Sequence, residues 1–133
     1  MIREERHRLL TALGETILPA DEGPGAAEAG VAGYLERALD RRAARDRVRI
    51  ESGLELVDTM ARQRHGKVFA DCGDEERADV LTELQRVPHR IVRGFLSKIV
   101  GLVIEGFLCH PRHGGNRGGV GWRAVGYSPE PLP

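Results

Sequence analysis

The chain has 133 residues, and its 20 lysines and arginines balance 20 aspartates and glutamates, so the formal net charge is zero. This length supports one domain with a single hydrophobic core. The balanced charge argues against the basic surface typical of proteins that bind nucleic acid or an anionic membrane. Two cysteines, Cys72 and Cys109, allow at most one internal disulfide.

No segment of the sequence is apolar for long enough to cross a membrane. The most apolar run, residues 91–109, contains three charged side chains, whereas a spanning helix needs roughly 20 apolar residues. Residues 1–8 are polar and give no secretory leader, and the pair Arg41-Arg42 is not followed by the apolar stretch of an export signal. We therefore expect a cytoplasmic chain without direct membrane insertion. A periplasmic location would require that a twin-arginine leader had been removed.

Apolar residues at helical spacing predict an all-α fold, a bundle of about five helices without strands. The first helix has apolar positions within residues 9–17 and ends before Pro19. The second carries an apolar stripe over residues 31–39, with the spacing that lines one helix face. The third spans about residues 46–64, and Gly66 is predicted to end it.

The fourth and fifth helices are predicted from their starting residues. Asp74 is a predicted N-cap, and the two glutamates after it suit the positive end of the helix dipole. The apolar face of this fourth helix holds Ala78, Leu81 and Leu84. Pro88 is predicted in the first turn of a fifth helix that reaches about Leu108.

The fifth helix is apolar over more than half of its circumference, which is typical of a central helix packed on several sides. The remaining sector contains small residues and two charges: Gly94, Ser97, Lys98, Gly101 and Glu105. The small residues predict a groove where another helix comes close. The sequence leaves two occupants open, a helix of the same bundle or another subunit.

Residues 110–127 contain six glycines, the only tryptophan, Trp122, and one of the two tyrosines, Tyr127. Glycine allows positive φ angles and close backbone approach, and large aromatic side chains anchor interfaces. We predict a helical body, 1–109, and an irregular tail, 110–133, that belongs to the same domain. The tail is expected to pack against that body or against a partner.

The residues that could carry chemistry are few. Cys109, His110 and His113 lie close together in sequence, and Cys72 or His89 could complete a metal-binding set. The order Cys-His-x-x-His lacks the paired spacing of structural zinc sites. A Cys-His nucleophile pair is also open, but it needs an orienting acid and an oxyanion site. We predict no catalytic, cofactor or metal site in this chain.

Several segments match the pattern of one known family. The most specific are the tail segments His-Pro-Arg-His-Gly-Gly-Asn at 110–116, Gly121-Trp122 and Gly126-Tyr127. Others are Glu-Thr-Ile-Leu-Pro-Ala-Asp at 15–21, Gly25-Ala26, Gly30-Val31, Phe69, Glu75-Glu76-Arg77 and Val80-Leu81. Over nearly its whole length the chain resembles the gluconate 2-dehydrogenase subunit 3 family.

This resemblance implies a non-catalytic small subunit of a heteromeric FAD-dependent dehydrogenase of the glucose-methanol-choline type. The large partner would hold the FAD and oxidise a sugar or alcohol, and this chain would stabilise or mature it without a cofactor of its own. The sequence departs from the family pattern at His113, where a tyrosine is usual. It also does not show the twin-arginine leader through which many members help to export their partner.

On this basis we predict that residues 110–127 pack against the flavoprotein, through a tight turn with positive φ and two aromatic anchors. The predicted partner interface is His113, Gly114, Gly115, Asn116, Trp122 and Tyr127. The alternative for the tryptophan is that it covers the core of its own subunit. Two other classes of function are open, an independent small metal-binding protein and a homo-oligomeric helical protein.

Overall fold

The computed structural model describes residues 1–21 and 23–128. The fold of this part of the chain belongs to the all-α class, as predicted. The residues 129–133 of the predicted tail lie outside it. The described α-helices are α1 Arg3–Ile17, α2 Val31–Asp40, α3 Ala44–His65, α4 Asp74–Arg86, α5 Arg90–Leu108 and α6 Val120–Ala124. Single 3-10 turns lie at Phe69–Asp71, Pro111–His113 and Arg117–Gly119. The predicted irregular tail therefore contains two such turns and a short helix, α6.

Two predicted helix starts are wrong by one or two residues. The N-cap of α4 is Gly73, whose backbone N–H donates to Oε1 of Glu76 at 2.9 Å, and Asp74 is the first helical residue. Pro88 precedes α5, because Nδ1 of His89 accepts the backbone N–H of Ile91 at 3.2 Å and caps the helix after the proline.

Helices α1 to α5 enclose one hydrophobic core. Their apolar faces supply many of its least exposed side chains, among them Leu9, Leu10, Leu13, Leu35, Leu39, Leu54, Val57, Val80, Leu84 and Ile99, together with Phe69 from a 3-10 turn. Two glycines allow close packing around α5. A Cβ at Gly106 would lie 2.7 Å from the ring of Tyr34, and one at Gly53 would overlap the ring of Phe95. Substitution of either glycine would push α5 away from α2 or α3.

Helix α5 packs against α1, α2, α3, α4 and α6, as expected of a central helix, but it buries only part of its wide apolar arc. Phe95, Ile99 and Val103 point into the core. On the outer side, Ile104 is 44 % exposed, and Val100 and Leu108 are exposed as well; Ile91 is exposed beside the groove between α3 and α5. A Cβ on Gly94 or Gly101 would meet no atom within 4 Å. Among the described residues, therefore, no helix of the bundle fills the predicted groove.

None of the helices in the described ranges combines the length and the apolar character needed to cross a membrane.

A buried arginine joins the first three helices. Arg6 donates through Nε and Nη2 to Oε2 of Glu36 at 3.1 and 2.5 Å, and through Nη1 to Oε1 of Glu51 at 3.0 Å. Its Nη2 also reaches Oδ1 of Asp40 at 3.2 Å. The hydrogen bonding of Arg6 to the carboxylate of Glu36 is the main reason why the pKa of Arg6 is raised. Burial of an isolated charge costs much free energy. The guanidinium of Arg6 can be buried because these carboxylates neutralise its charge.

The junction between α3 and α4 is expected to weaken in acid. Nε of Arg64 and Nε2 of His65 contact Oδ2 of Asp79 at 2.7 and 2.8 Å, and Nζ of Lys67 contacts Oε1 of Glu76 at 2.7 Å. Lys67 is the main cause of the lowered pKa of Glu76, and Arg64 is the main cause of the lowered pKa of Asp79. A carboxylate whose pKa is lowered by folding stabilises the protein at neutral pH, and this stabilisation is lost as the pH falls through the lowered pKa.

The measurement is the melting temperature between pH 7 and pH 3. The wild-type chain should lose stability as the pH falls from the ordinary pKa of these carboxylates through the lowered pKa that each has in the folded protein. The double variant Glu76→Gln/Asp79→Asn should lose less than the wild type over the same interval. Equal losses in the two proteins would show that this junction does not contribute to the acid sensitivity.

Candidate subunit interface

The glycine-rich tail turns back on the end of α5. After Leu108 the chain makes a 3-10 turn, and it then reverses at Gly114, with φ 91°, and Asn116, with φ 45°. Asn116 is the one non-glycine residue with positive φ in the described part of the chain. The predicted positive-φ turn is therefore present at Gly114 and Asn116, but Gly115 lies between them with an ordinary φ.

Gly115 and Gly121 are needed for close approach rather than for an unusual φ. A Cβ on Gly115 would overlap the carbonyl oxygen of Gly106, and one on Gly121 would overlap the carbonyl oxygen of Phe107. Both obstacles are backbone atoms of the last turn of α5, which cannot rotate away as a side chain would. The tail therefore lies in direct contact with the backbone at the end of this helix.

The tail supplies hydrogen bonds to the carbonyl groups at the end of α5. The last carbonyls of a helix have no partner within the helix itself. Here the backbone N–H of Asn116 donates to Gly106 at 2.7 Å, and Nε1 of Trp122 donates to Leu108 at 2.7 Å. Nδ2 of Asn116 donates to the carbonyl of Cys109 at 2.8 Å. The glycine-rich motif thus forms a C-terminal cap for α5 within the same chain.

The side chain of Asn116 is completely buried and connects two helices. Its Oδ1 accepts the backbone N–H groups of Gly121, at 2.7 Å, and Trp122, at 3.3 Å, which belong to the first turn of α6. The same amide donates to the end of α5, so it caps one helix at its C-terminus and the next at its N-terminus. Arg117 also donates its backbone N–H to the carbonyl of Ala29 at 2.9 Å, which fixes the tail to the loop before α2.

Aromatic side chains of the tail form a cluster at the surface. The ring of Trp122 lies 5.5 Å from those of His110 and Tyr127, in edge-to-face arrangements, and His113 lies 6.4 Å from His110. Trp122 is half-buried, whereas Tyr127 is 55 % exposed. The hydrogen bond from Trp122 to Leu108 places this cluster beside the exposed apolar side of α5. We call these four residues the aromatic cluster.

The predicted interface residues divide into two groups. Gly115 and Asn116 are buried inside the subunit, and Gly114 packs against the guanidinium of Arg37. The others, His113, Trp122 and Tyr127, lie in the aromatic cluster. Sequence reasoning used the Gly-Gly-Asn signal to predict the positive-φ turn, but it missed the internal role of the glycines and the asparagine. Contact of the three aromatic-cluster residues with a partner stays a prediction.

The cysteine and histidine residues singled out in the sequence do not form an evident reactive centre. Cys72 and Cys109 are free thiols. Sγ of Cys109 lies 3.7 Å from the carbonyl oxygen of Gly106, and burial raises the pKa of its thiol. A thiol with a raised pKa is a poor nucleophile and a poor metal ligand at neutral pH. Across residues 1–21 and 23–128, no three His, Cys, Asp or Glu side chains are placed to hold a metal ion together.

This helical chain caps α5 with its own tail and exposes an aromatic cluster beside an apolar helix face, and exposed apolar surface of this kind is typical of interaction sites. The chain belongs to the gluconate 2-dehydrogenase subunit 3 family, because the family model described as Gluconate 2-dehydrogenase subunit 3 matches residues 4–129. The resemblance seen in the sequence is thereby confirmed. No curated protein and no solved structure matches the chain significantly. The family description implies a multi-subunit dehydrogenase with a catalytic partner, so this chain is an oxidoreductase subunit.

Proposed function

We propose that this chain is the non-catalytic small subunit of a heteromeric FAD-dependent dehydrogenase of the glucose-methanol-choline type. Its task is to stabilise or mature the catalytic flavoprotein, which holds the FAD and oxidises a sugar or alcohol. Membership of the subunit 3 family supports this proposal. The observation in the structure that carries it is the exposed apolar surface at the end of α5.

This surface joins two parts of the chain. Ile104 and Leu108 belong to α5 and are 44 % and 36 % exposed, and Tyr127 belongs to the tail. Trp122 connects them, because it bonds to the carbonyl of Leu108 and packs edge-to-face on Tyr127. Contiguous apolar surface on a soluble protein marks an interaction site, and aromatic side chains are over-represented among the residues that dominate binding energy.

The proposal is tested by purifying the chain from its native host with an N-terminal tag, which leaves the tail free. The expected result is a stoichiometric large partner with a flavin absorption spectrum. Cell fractionation of the complex then tests the expectation that it is cytoplasmic. A monodisperse chain without a flavoprotein would overturn the proposal. Elemental analysis and size-exclusion chromatography would then test the metal-binding and homo-oligomeric alternatives.

The aromatic cluster gives a specific prediction for the complex. Tyr127→Ala should weaken binding of the catalytic subunit about 10-fold without changing the melting temperature of the isolated chain, because its ring is exposed. Trp122→Ala should weaken binding about 30-fold and also lower the melting temperature, because it removes the hydrogen bond to Leu108. Val48→Ala, on an exposed position of α3, is the control for both.

The measurements are a binding titration with the purified flavoprotein and thermal melting of each isolated variant. If Trp122→Ala lowers the melting temperature and leaves the affinity unchanged, the tryptophan covers its own subunit and is not an anchor. Unchanged affinity for Tyr127→Ala as well would remove the aromatic cluster from the interface.

A further inference from the structure

We propose that the outer face of α5 receives a helical segment of the catalytic subunit that is apolar on one side and acidic at its edge. The outer face of α5 consists of Gly94, Ser97, Val100, Gly101, Ile104 and Leu108. This inference rests on the proposed function and adds to it the position of the contact and the chemistry of the partner. Three features carry it: the glycines of the face, its apolar side chains and the charges of the groove beside it.

The two glycines of this face have no role within the subunit. Glycine in the middle of a helix is less favourable than alanine, so it normally has a packing reason. Gly106 has such a reason in the same helix, because a Cβ there would lie 2.7 Å from the ring of Tyr34. At Gly94 and Gly101, a Cβ would meet nothing within 4 Å. The two glycines lie two helical turns apart, so they open one continuous strip where another helix can approach the backbone.

Apolar side chains border this strip. Val100, Ile104 and Leu108 follow one another at intervals of four residues and are 38 %, 44 % and 36 % exposed. Residues at this spacing share one face of a helix, which is the pattern by which a second helix is recognised. At its C-terminal end the row meets Trp122, whose Nε1 bonds to Leu108. The outer face of α5 is therefore continuous with the surface on which the proposed function depends.

The charges beside the face select an acidic partner. Between α3 and α5 lies a groove of about 470 Å³ with Phe95 in its lining and three basic side chains, Arg49, Arg90 and Lys98, against one acid, Asp46. In the described part of the chain, none of these three bases forms an ion pair. Acidic side chains of a partner would supply the missing opposite charges.

The same charges argue against a second copy of this chain as the occupant. In an antiparallel pair of α5 helices, Lys98 could face Glu105 of the other copy, but Arg90 and Arg93 would then lie opposite the segment after the other copy's α5. There residues 110–113 carry a further positive charge, Arg112, and no acid. Like charges brought together across an interface are unfavourable. A partner with its own acidic residues avoids this repulsion.

The test uses the co-purified dehydrogenase, with its purified catalytic subunit titrated by variants of this chain. Ile104→Glu should raise Kd about 30-fold, because it places a charge on the apolar strip. Gly101→Leu should raise Kd at least about 10-fold, because its side chain fills the strip. Gly101→Leu should not lower the melting temperature of the isolated chain, since the space above Gly101 is open. Val48→Glu, which places the same charge on another exposed apolar position, is the matched control.

The charge requirement is tested separately. The double variant Arg90→Glu/Lys98→Glu should raise Kd several-fold and make binding less sensitive to added salt than in the wild type. Arg62→Glu, at an exposed position of α3 away from the groove, should leave both quantities unchanged.

The outcomes separate this inference from the proposed function. If the wild-type chain recovers no flavoprotein, the proposed function fails and the inference fails with it. If it recovers the flavoprotein and both Ile104→Glu and Gly101→Leu bind as tightly as Val48→Glu, only the inference is overturned. Tighter binding by the Arg90→Glu/Lys98→Glu variant would exclude an acidic partner. An isolated chain that dimerises, and that Ile104→Glu makes monomeric without affecting flavoprotein binding, would assign the face to a second copy.

Discussion

Replacing Asn116 by alanine is expected to lower the free energy of unfolding by about 3–5 kcal/mol, because one buried side chain caps two helices. The substitution leaves the carbonyl of Cys109 and the backbone N–H of Gly121 without partners, and each unsatisfied buried group costs about 1–3 kcal/mol. It also places alanine at φ 45°, a left-handed conformation that asparagine tolerates better than alanine does.

Two further substitutions at this position separate the loss of hydrogen bonds from the cost of the left-handed backbone. Asn116→Gly removes the same hydrogen bonds but tolerates positive φ, so the difference between glycine and alanine measures the backbone cost. Asn116→Asp keeps an acceptor for Gly121 and Trp122, but it sets a carboxylate oxygen against the carbonyl of Cys109. Urea unfolding followed by circular dichroism gives the three values. A loss below about 1 kcal/mol for Asn116→Ala would mean that the tail does not cap α5.

The same substitution links the fold of the tail to the proposed interface. The aromatic cluster is held in position by α6, and the first turn of α6 depends on Asn116. We therefore expect Asn116→Ala to weaken binding of the catalytic subunit although this side chain is fully buried. In this way the glycine and asparagine residues of the motif act on the partner indirectly, by placing side chains that are exposed.

Local patterns were sufficient to predict the helices of the body. Helical spacing of apolar residues depends only on neighbours within a few positions, and it located α1 to α5 and most of their core residues. On α4 the prediction was partly wrong, because Ala78 is exposed and Val80 is buried beside Leu84. The cap at Gly66 was predictable for the same reason, because a glycine after the last turn takes the left-handed conformation, here with φ 72°. The starts of α4 and α5 were less accurate, because Glu76 and His89 made caps that compete with the predicted ones.

Contacts between distant parts of the chain could not be predicted in this way. The apolar residues of α5 indicate how much surface needs covering, but not how many helices the chain has left to cover it. The contacts of the tail could not be predicted for the same reason. Asn116 bonds to Gly106 in α5 and to Cys109 directly after it, and no local pattern around Asn116 indicates these partners. Sequence reasoning recognised the tail as unusual and matched its family, whereas its capping role became visible only from the hydrogen bonds.

The second large effect is expected where Arg6 joins α1, α2 and α3, because Arg6→Met should lower the free energy of unfolding by about 3–5 kcal/mol. The arginine side chain is 8 % exposed and that of Glu36 is 11 % exposed. Removal of the guanidinium leaves the carboxylate of Glu36 buried without a cation. Its Oε1 already has no hydrogen-bond partner among the described residues, so no second group is ready to replace Arg6.

Arg3→Met provides the matched control, because Arg3 contacts the same Asp40 at 3.0 Å but its side chain is 75 % exposed. An exposed pair contributes little, so this variant should unfold close to the wild type. The double variant Arg6→Met/Glu36→Gln removes the stranded charge and should recover a large part of the loss, which a double-mutant cycle measures as coupling. If Arg6→Met destabilises no more than Arg3→Met, water reaches Glu36, and the association of α1 with α2 and α3 depends on apolar packing alone.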